Sequence, residues 1–274
     1  MNRGRWLVVA ALLVGALGVV SMKLRWSERR EPAPGPFVYD GAPLPEGAEA
    51  RLTAGGWTLG DVEGPYRQRA LARPPSGGET RWVVFFAGNG PGYLAEARGV
   101  LESLDAGRGL GLAAVAPPGF DGSHGEPSPE ALRAASEAAA KWLVATHRPS
   151  AVSLVGFSMG SHAALAAAHA LSREGTPARS LVLMAPFTLM DVTDKGLWGR
   201  VRLPDRYDNL SLATTGLPPA RVLHGQADPA LPPSHGEALA RRLGASFQSF
   251  PGVGHSELLK HPAALAEARA GLGL

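Results

Sequence analysis

Val152-Ser153-Leu154-Val155-Gly156-Phe157-Ser158-Met159-Gly160-Ser161 decides the fold of this chain. The first four residues read as a short apolar strand, and Ser161–Leu171, rich in alanine, as a helix. Between them lies Gly-x-Ser-x-Gly. A sharp strand-to-helix turn of this kind lifts one serine hydroxyl above the edge of a sheet. Gly156 and Gly160 supply missing side chains where the turn folds against neighbouring backbone. The following helix points its positive end at Ser158, which favours negative charge developing there. A plain glycine-rich turn with Ser158 as a helix cap would look the same locally. The rest of the chain has to decide.

Working outward, strand-like runs alternate with helical ones. Trp82–Phe86 is a continuous apolar strand that ends in Ala87-Gly88-Asn89-Gly90-Pro91-Gly92, and a helix follows near Leu94–Leu104. Leu112–Ala116 is a strand, and Ser128-Pro129-Glu130 starts a helix running to about Thr146, with Ser128 as N-cap and Pro129 as first helical residue. Beyond the central turn come strand Leu181–Met184, strand Arg221–His224, helix Ser234–Leu243, strand Ser246–Phe250 and helix His261–Gly271. Residues 188–219 lack clear periodicity and are expected to form a small cap. Upstream, Ala50–Thr53, Trp57–Leu59 and Arg67–Ala72 read as strands of an antiparallel edge. This alternation predicts an α/β fold with a doubly wound, mostly parallel sheet. No repeat of solenoid period is present.

A serine hydroxyl is a poor nucleophile without a base, and the base needs an orienting carboxylate. Two loops at the C-terminal ends of successive strands supply candidates: Gly225-Gln226-Ala227-Asp228-Pro229 and Pro251-Gly252-Val253-Gly254-His255. They are expected on the same sheet edge as Ser158. Asp205 and Asp208 are rival acids if the cap folds inward. His162 and His169 share a helical face but have no partners at metal-ligand spacing, so they read as packing groups. The loop after Phe86 has no Walker lysine, which excludes a phosphate-binding P-loop.

From about residue 48 to its end the chain resembles an α/β-hydrolase. The resemblance rests on Phe86-Ala87-Gly88-Asn89-Gly90, Gly119–Ser128, Gly156–Gly160, His224–Asp228 and Gly254-His255. Gly119-Phe120-Asp121-Gly122-Ser123-His124-Gly125-Glu126-Pro127-Ser128 is similar to a loop of the small-cap branch, which includes serine aminopeptidase-like and acyl-hydrolase-like proteins. The resemblance implies Ser158 as nucleophile, His255 as general base then acid, and Asp228 as its partner. It implies an oxyanion hole from the backbone N–H groups of Met159 and of Asn89, or of Gly88 in its place. His124, Phe157 and Trp198 are candidates for substrate binding, with Leu197 and Leu203 beside Trp198. Two positions depart from the pattern: Ala87 replaces a usual histidine, and Asp121 a usual glycine. No metal or organic cofactor is implied.

The chain has 274 residues, 45% of them hydrophobic and none of them cysteine, which removes disulfides and thiolate chemistry. A pI near 9.5 would suggest a nucleic-acid partner. However, Arg3, Arg5, Lys23, Arg25, Arg29 and Arg30 crowd into residues 1–31 against Glu28 and Glu31, so without that segment the formal +3 becomes −1. A nucleic-acid role has little support. Trp6–Met22 is apolar apart from Ser21, a run of 17 residues flanked by basic ones. It lacks a clean small-x-small cleavage site and reads as an uncleaved signal anchor. Residues 1–26 are therefore expected to be a single-pass transmembrane anchor, 27–47 a proline-rich linker, and 48–274 the hydrolase domain, outside the cytoplasm. The expected activity is cleavage of a carboxylic ester, with thioester or amide in the same class and lipid among the substrates. A serine peptidase, a lysophospholipase-like hydrolase and a catalytically inactive, membrane-tethered binding domain are the alternatives.

Overall fold

The computed structural model describes residues 37–193 and 205–274. Strands are Phe37–Val38 (β1), Thr58–Val62 (β2), Gln68–Arg73 (β3), Arg81–Phe86 (β4), Gly111–Val115 (β5) and Ala151–Phe157 (β6). They continue with Ser180–Met184 (β7), Leu189–Thr193 (β8), Asp205–Asp208 (β9), Ala220–Gly225 (β10) and Ser246–Phe250 (β11). Helices are Ala48–Thr53 (α1), Tyr93–Asp105 (α2), Pro129–His147 (α3), Gly160–Arg173 (α4), Asn209–Leu212 (α5), Pro233–Leu243 (α6) and Pro262–Gly271 (α7).

An eight-stranded sheet of order β11-β10-β7-β6-β4-β5-β3-β2 carries the molecule. The six strands from β11 to β5 run parallel, and β3 and β2 add the antiparallel edge. β4 and β6 pair along six positions, from Arg81 with Ala151 to Phe86 with Gly156, at the centre of the sheet. Trp82 to Phe86 are all buried, as a strand covered on both faces requires. α3 packs on α4, and α2 on α7. α3 begins as its sequence requires: the Ser128 hydroxyl accepts from the Ala131 N–H at 3.0 Å with Pro129 next in line.

Two expectations at the start of the domain change. Ala50–Thr53 is not a strand but part of α1. Its Ala-Glu-Ala-Arg-Leu composition favours helix, and Ala48 and Leu52, four apart, are its buried residues. The stretch 37–47, read from its prolines as linker, is built into the folded unit. β1 pairs in parallel with β8, Phe37 opposite Val192, and β8 pairs antiparallel with β9. A three-stranded sheet therefore joins Phe37–Val38 to Leu189–Thr193 and Asp205–Asp208. Residues 1–36, with the expected anchor and the first ten residues of the linker, lie outside the described residues, as do Leu197, Trp198 and Leu203. Among the described residues no helix is long and apolar enough to cross a membrane.

Buried polar groups fasten the small sheet to the large one. The Asn209 amide donates to the Ser161 hydroxyl at 2.8 Å and to the Phe187 carbonyl at 3.0 Å. The Asn209 carbonyl oxygen accepts from His162 Nδ1 at 2.9 Å. The Tyr39 hydroxyl donates to Asp205 at 2.9 Å and meets the Tyr207 hydroxyl at 2.8 Å. Burial pushes the Tyr207 and Tyr39 hydroxyls well above the usual phenol range, so both stay neutral donors. His169 Nε2 donates to the Leu212 carbonyl at 2.8 Å. The two histidines pack where residues 209–212 cross α4.

Candidate active site

β6 delivers Ser158 to the turn between strand and helix. Ser158 has φ 52°, a left-handed conformation that costs a side-chain-bearing residue on the order of 1 kcal/mol or more. The cost is met locally. The Ser158 N–H donates to the Met184 carbonyl at 3.0 Å, and the Ser158 carbonyl accepts from the Ser161 N–H at 2.9 Å and hydroxyl at 2.6 Å. A Cβ on Gly156 would lie 2.5 Å from the Gly160 carbonyl oxygen, and one on Gly160 would overlap the carbonyl oxygens of Phe86 and Ala87. Both positions require glycine.

At the ends of β10 and β11, Asp228 and His255 meet. His255 Nδ1 donates to Asp228 Oδ2 at 2.6 Å. Oδ1 accepts from the Ala230 and Leu231 N–H groups, each at 2.8 Å. His224, wholly buried, donates from Nε2 to the Leu231 carbonyl at 2.9 Å and lies 3.4 Å from Oδ2. Burial raises the Asp228 carboxyl, but the His224 and His255 donors and the Leu231 N–H outweigh it. The group is held well below the usual carboxylate range. Donation from Nδ1 to an ionised Asp228 leaves Nε2 of His255 as the acceptor nitrogen, the form a general base needs.

Ser158 and His255 line one cavity of about 200 Å³ together with Gly88, Asn89, Gly90 and Phe157. The Phe157 ring lies 4.8 Å from the His255 ring. Met159 is buried at the start of α4, with its backbone at the turn next to Ser158. Asn89 has a further role that its sequence did not announce. Its amide donates to the Val38 carbonyl at 2.8 Å and its carbonyl oxygen accepts from the Asp40 N–H at 3.2 Å. It thereby ties residues 38–40 to the Gly88–Gly90 loop.

Other candidates lie elsewhere. His124 is not in the cavity wall. It is exposed and bonded through Nε2 to Arg67 at 2.9 Å, because the loop turns it toward β3. Asp205 accepts from Tyr39, and the Asp208 side chain caps α5 by accepting from the Ser211 N–H at 3.0 Å. The carboxylate that bonds to His255 is that of Asp228. Asp121 keeps the backbone shape of the glycine it replaces, with φ 46°, and uses its side chain to accept from the Leu94 N–H at 2.6 Å at the start of α2. Phe37, Met190, Leu231, Ala230, Glu96 and Ser256 complete the cavity wall. Sequence reasoning missed all six. Only Phe37-Val38-Tyr39 carried a signal, three strand-favouring residues in a row after the prolines.

The profile of the serine hydrolase family matches residues 137–261, the stretch that holds Ser158, Asp228 and His255. An esterase of Pyrococcus furiosus superposes with a TM-score of 0.66 at 13% identity, over 85% of this chain and 98% of its own. An esterase of Pyrobaculum calidifontis superposes with a TM-score of 0.61 at 18% identity, over 82% and 88%. An α/β serine hydrolase without lid from Xanthomonas campestris superposes with a TM-score of 0.55 at 18% identity, over 80% and 92%. No curated protein matches the chain by sequence. At these identities the structural likeness is one of fold, an α/β-hydrolase-like fold, and with the profile match over residues 137–261 it supports a serine hydrolase of that superfamily.

Proposed function

We propose that the protein cleaves carboxylic esters through an acyl-enzyme, with Ser158, His255 and Asp228 as its triad. The observation that carries this reading is the 2.6 Å bond from His255 Nδ1 to a buried, ionised Asp228, with His255 in the same cavity wall as Ser158. His255 Nε2 takes the Ser158 proton as Oγ attacks the ester carbon. The resulting oxyanion is met by the Met159 N–H and by the Gly88 or Asn89 N–H, at the positive end of α4. His255 then passes the proton to the departing alcohol, and a water repeats the sequence to free the acid. Thioesters and amides follow the same path. The small cavity, with Phe37 and Met190 in its wall, suits a compact ester group better than a peptide chain. The structural neighbours named as esterases support the same choice.

The test treats the full-length protein with a fluorophosphonate and assays it on p-nitrophenyl acetate. Labelling and turnover are expected in the wild type, and Ser158→Ala should lose the label and at least about 10³-fold in kcat. A folded wild type that neither labels nor turns over ester would overturn the triad and leave a binding domain. We further propose that residues 1–26 anchor the protein in a membrane with this domain outside the cytoplasm, on the strength of the apolar run Trp6–Met22 and its basic flanks. Placement at a membrane would bring lipid esters within reach.

A further inference from the structure

The 200 Å³ cavity at Ser158 is smaller than the ~300–1,000 Å³ of ordinary small-molecule sites. A neighbouring cavity shares two of its lining residues. Glu96 and Ser256 also line a second cavity of about 420 Å³, completed by Ala95, Gly99, Val100, Ser103, Leu259 and Lys260. The second cavity by itself falls within the ordinary range.

The second cavity has the form of a groove. Glu96, Gly99, Val100 and Ser103 stand at i, i+3, i+4 and i+7 and so share one face of α2. At 1.5 Å per residue that face runs about 10 Å from Glu96, at the nucleophile cavity, to Ser103. The opposite wall is the turn Ser256–Leu259 with Lys260, which follows His255 directly. Val100 and Leu259 are buried at the floor, whereas the hydroxyls and charges of Ser103, Ser256, Glu96 and Lys260 form the rim. A side chain at Gly99 would start in open space, so the groove is wide at its middle because that residue has none.

We propose that this groove binds a linear aliphatic chain attached to the ester, leaving the Ser158 cavity between Glu96 and Ser256 and lying along α2. An apolar floor of this length with a polar rim suits an alkyl chain, whose burial gains free energy with every methylene. It offers few of the convergent polar groups that a sugar or peptide would need. The inference rests on the ester-hydrolase reading of Ser158 and deepens it.

The test compares kcat/KM of the full-length protein on p-nitrophenyl acetate, butanoate and octanoate, and on ethyl and octyl acetate. Gly99→Trp fills the middle of the groove. It should lower the octanoate-to-acetate ratio at least tenfold if the chain belongs to the acid, or the octyl-to-ethyl ratio if it belongs to the alcohol. Ser103→Trp, one turn further along, should lower the octanoate ratio but leave the butanoate-to-acetate ratio within twofold. General loss of packing would not produce that dependence on chain length. Both ratios within twofold of wild type in folded Gly99→Trp would overturn the groove, with the triad intact if Ser158-dependent labelling persists. No labelling of the wild type at all would overturn both.

Discussion

His162 stands four residues beyond the nucleophile on α4 and is 6% exposed. Burial lowers its pKa from 6.5 to about 4, and the bond to Asn209 only partly offsets this. The unfolded chain therefore binds this proton before the folded one does. The stability that follows is complete above pH 6.5 and declines as the pH falls from 6.5 to 4, by up to about 1.4 kcal/mol per pH unit for this group. A melting series from pH 7.5 to 4.5 should show the fall in the wild type and a shallower one in His162→Gln. Equal slopes would place the acid sensitivity elsewhere. The residue itself was legible in the sequence only as a packing histidine. Its partner Asn209 lies 47 positions away in an aperiodic stretch, and no local pattern links the two.

Among the elements, β1 departs furthest from its sequence reading. Two strand residues after a run of prolines cannot hold a conformation alone. Their structure comes from pairing with β8, from the Asn89 amide, and from Tyr39, which is buried against Tyr207. The cavity depends on this element, because Phe37 is part of the wall beside Ser158. Asn89→Ala keeps the backbone N–H groups of the loop and removes the two side-chain bonds, so a loss of about 1–2 kcal/mol in unfolding stability is expected. KM should rise more than kcat falls, since Phe37 lines the cavity and is not one of the proposed triad residues. A chain beginning at residue 48 should melt lower than the full-length protein and show the same KM defect, more severely. An unchanged KM in both would show that Phe37 is not part of the binding wall.

At the scale of the whole molecule, charge and apolarity divide sharply along the chain. The first 31 residues hold the basic excess, and the rest is near neutral with one large sheet and its core. The anchor proposal is checked by sedimenting membranes from cells expressing the full-length protein and washing them at high pH. The protein should stay in the pellet, and a chain lacking residues 1–26 should not. Full-length protein with an intact N-terminus in the supernatant would overturn the proposal. In sealed membrane vesicles of known orientation, protease should digest the domain only from the side opposite the cytoplasm.

By itself the sequence determined the parallel sheet and its antiparallel edge, the turn at Ser158, and the chain order of Ser158, Asp228 and His255. Those features are written in local signals: apolar runs of strand length, Ser128-Pro129 at a helix start, and glycines wherever backbone crowds backbone. Only the tertiary structure decided the rest. It brought β1 and β8 together across more than 150 residues, set the four donors around Asp228, turned His124 to the surface, and opened a groove along α2. A local signal states what a segment prefers. A cavity wall is made of residues that prefer nothing in common and meet because the sheet places them there.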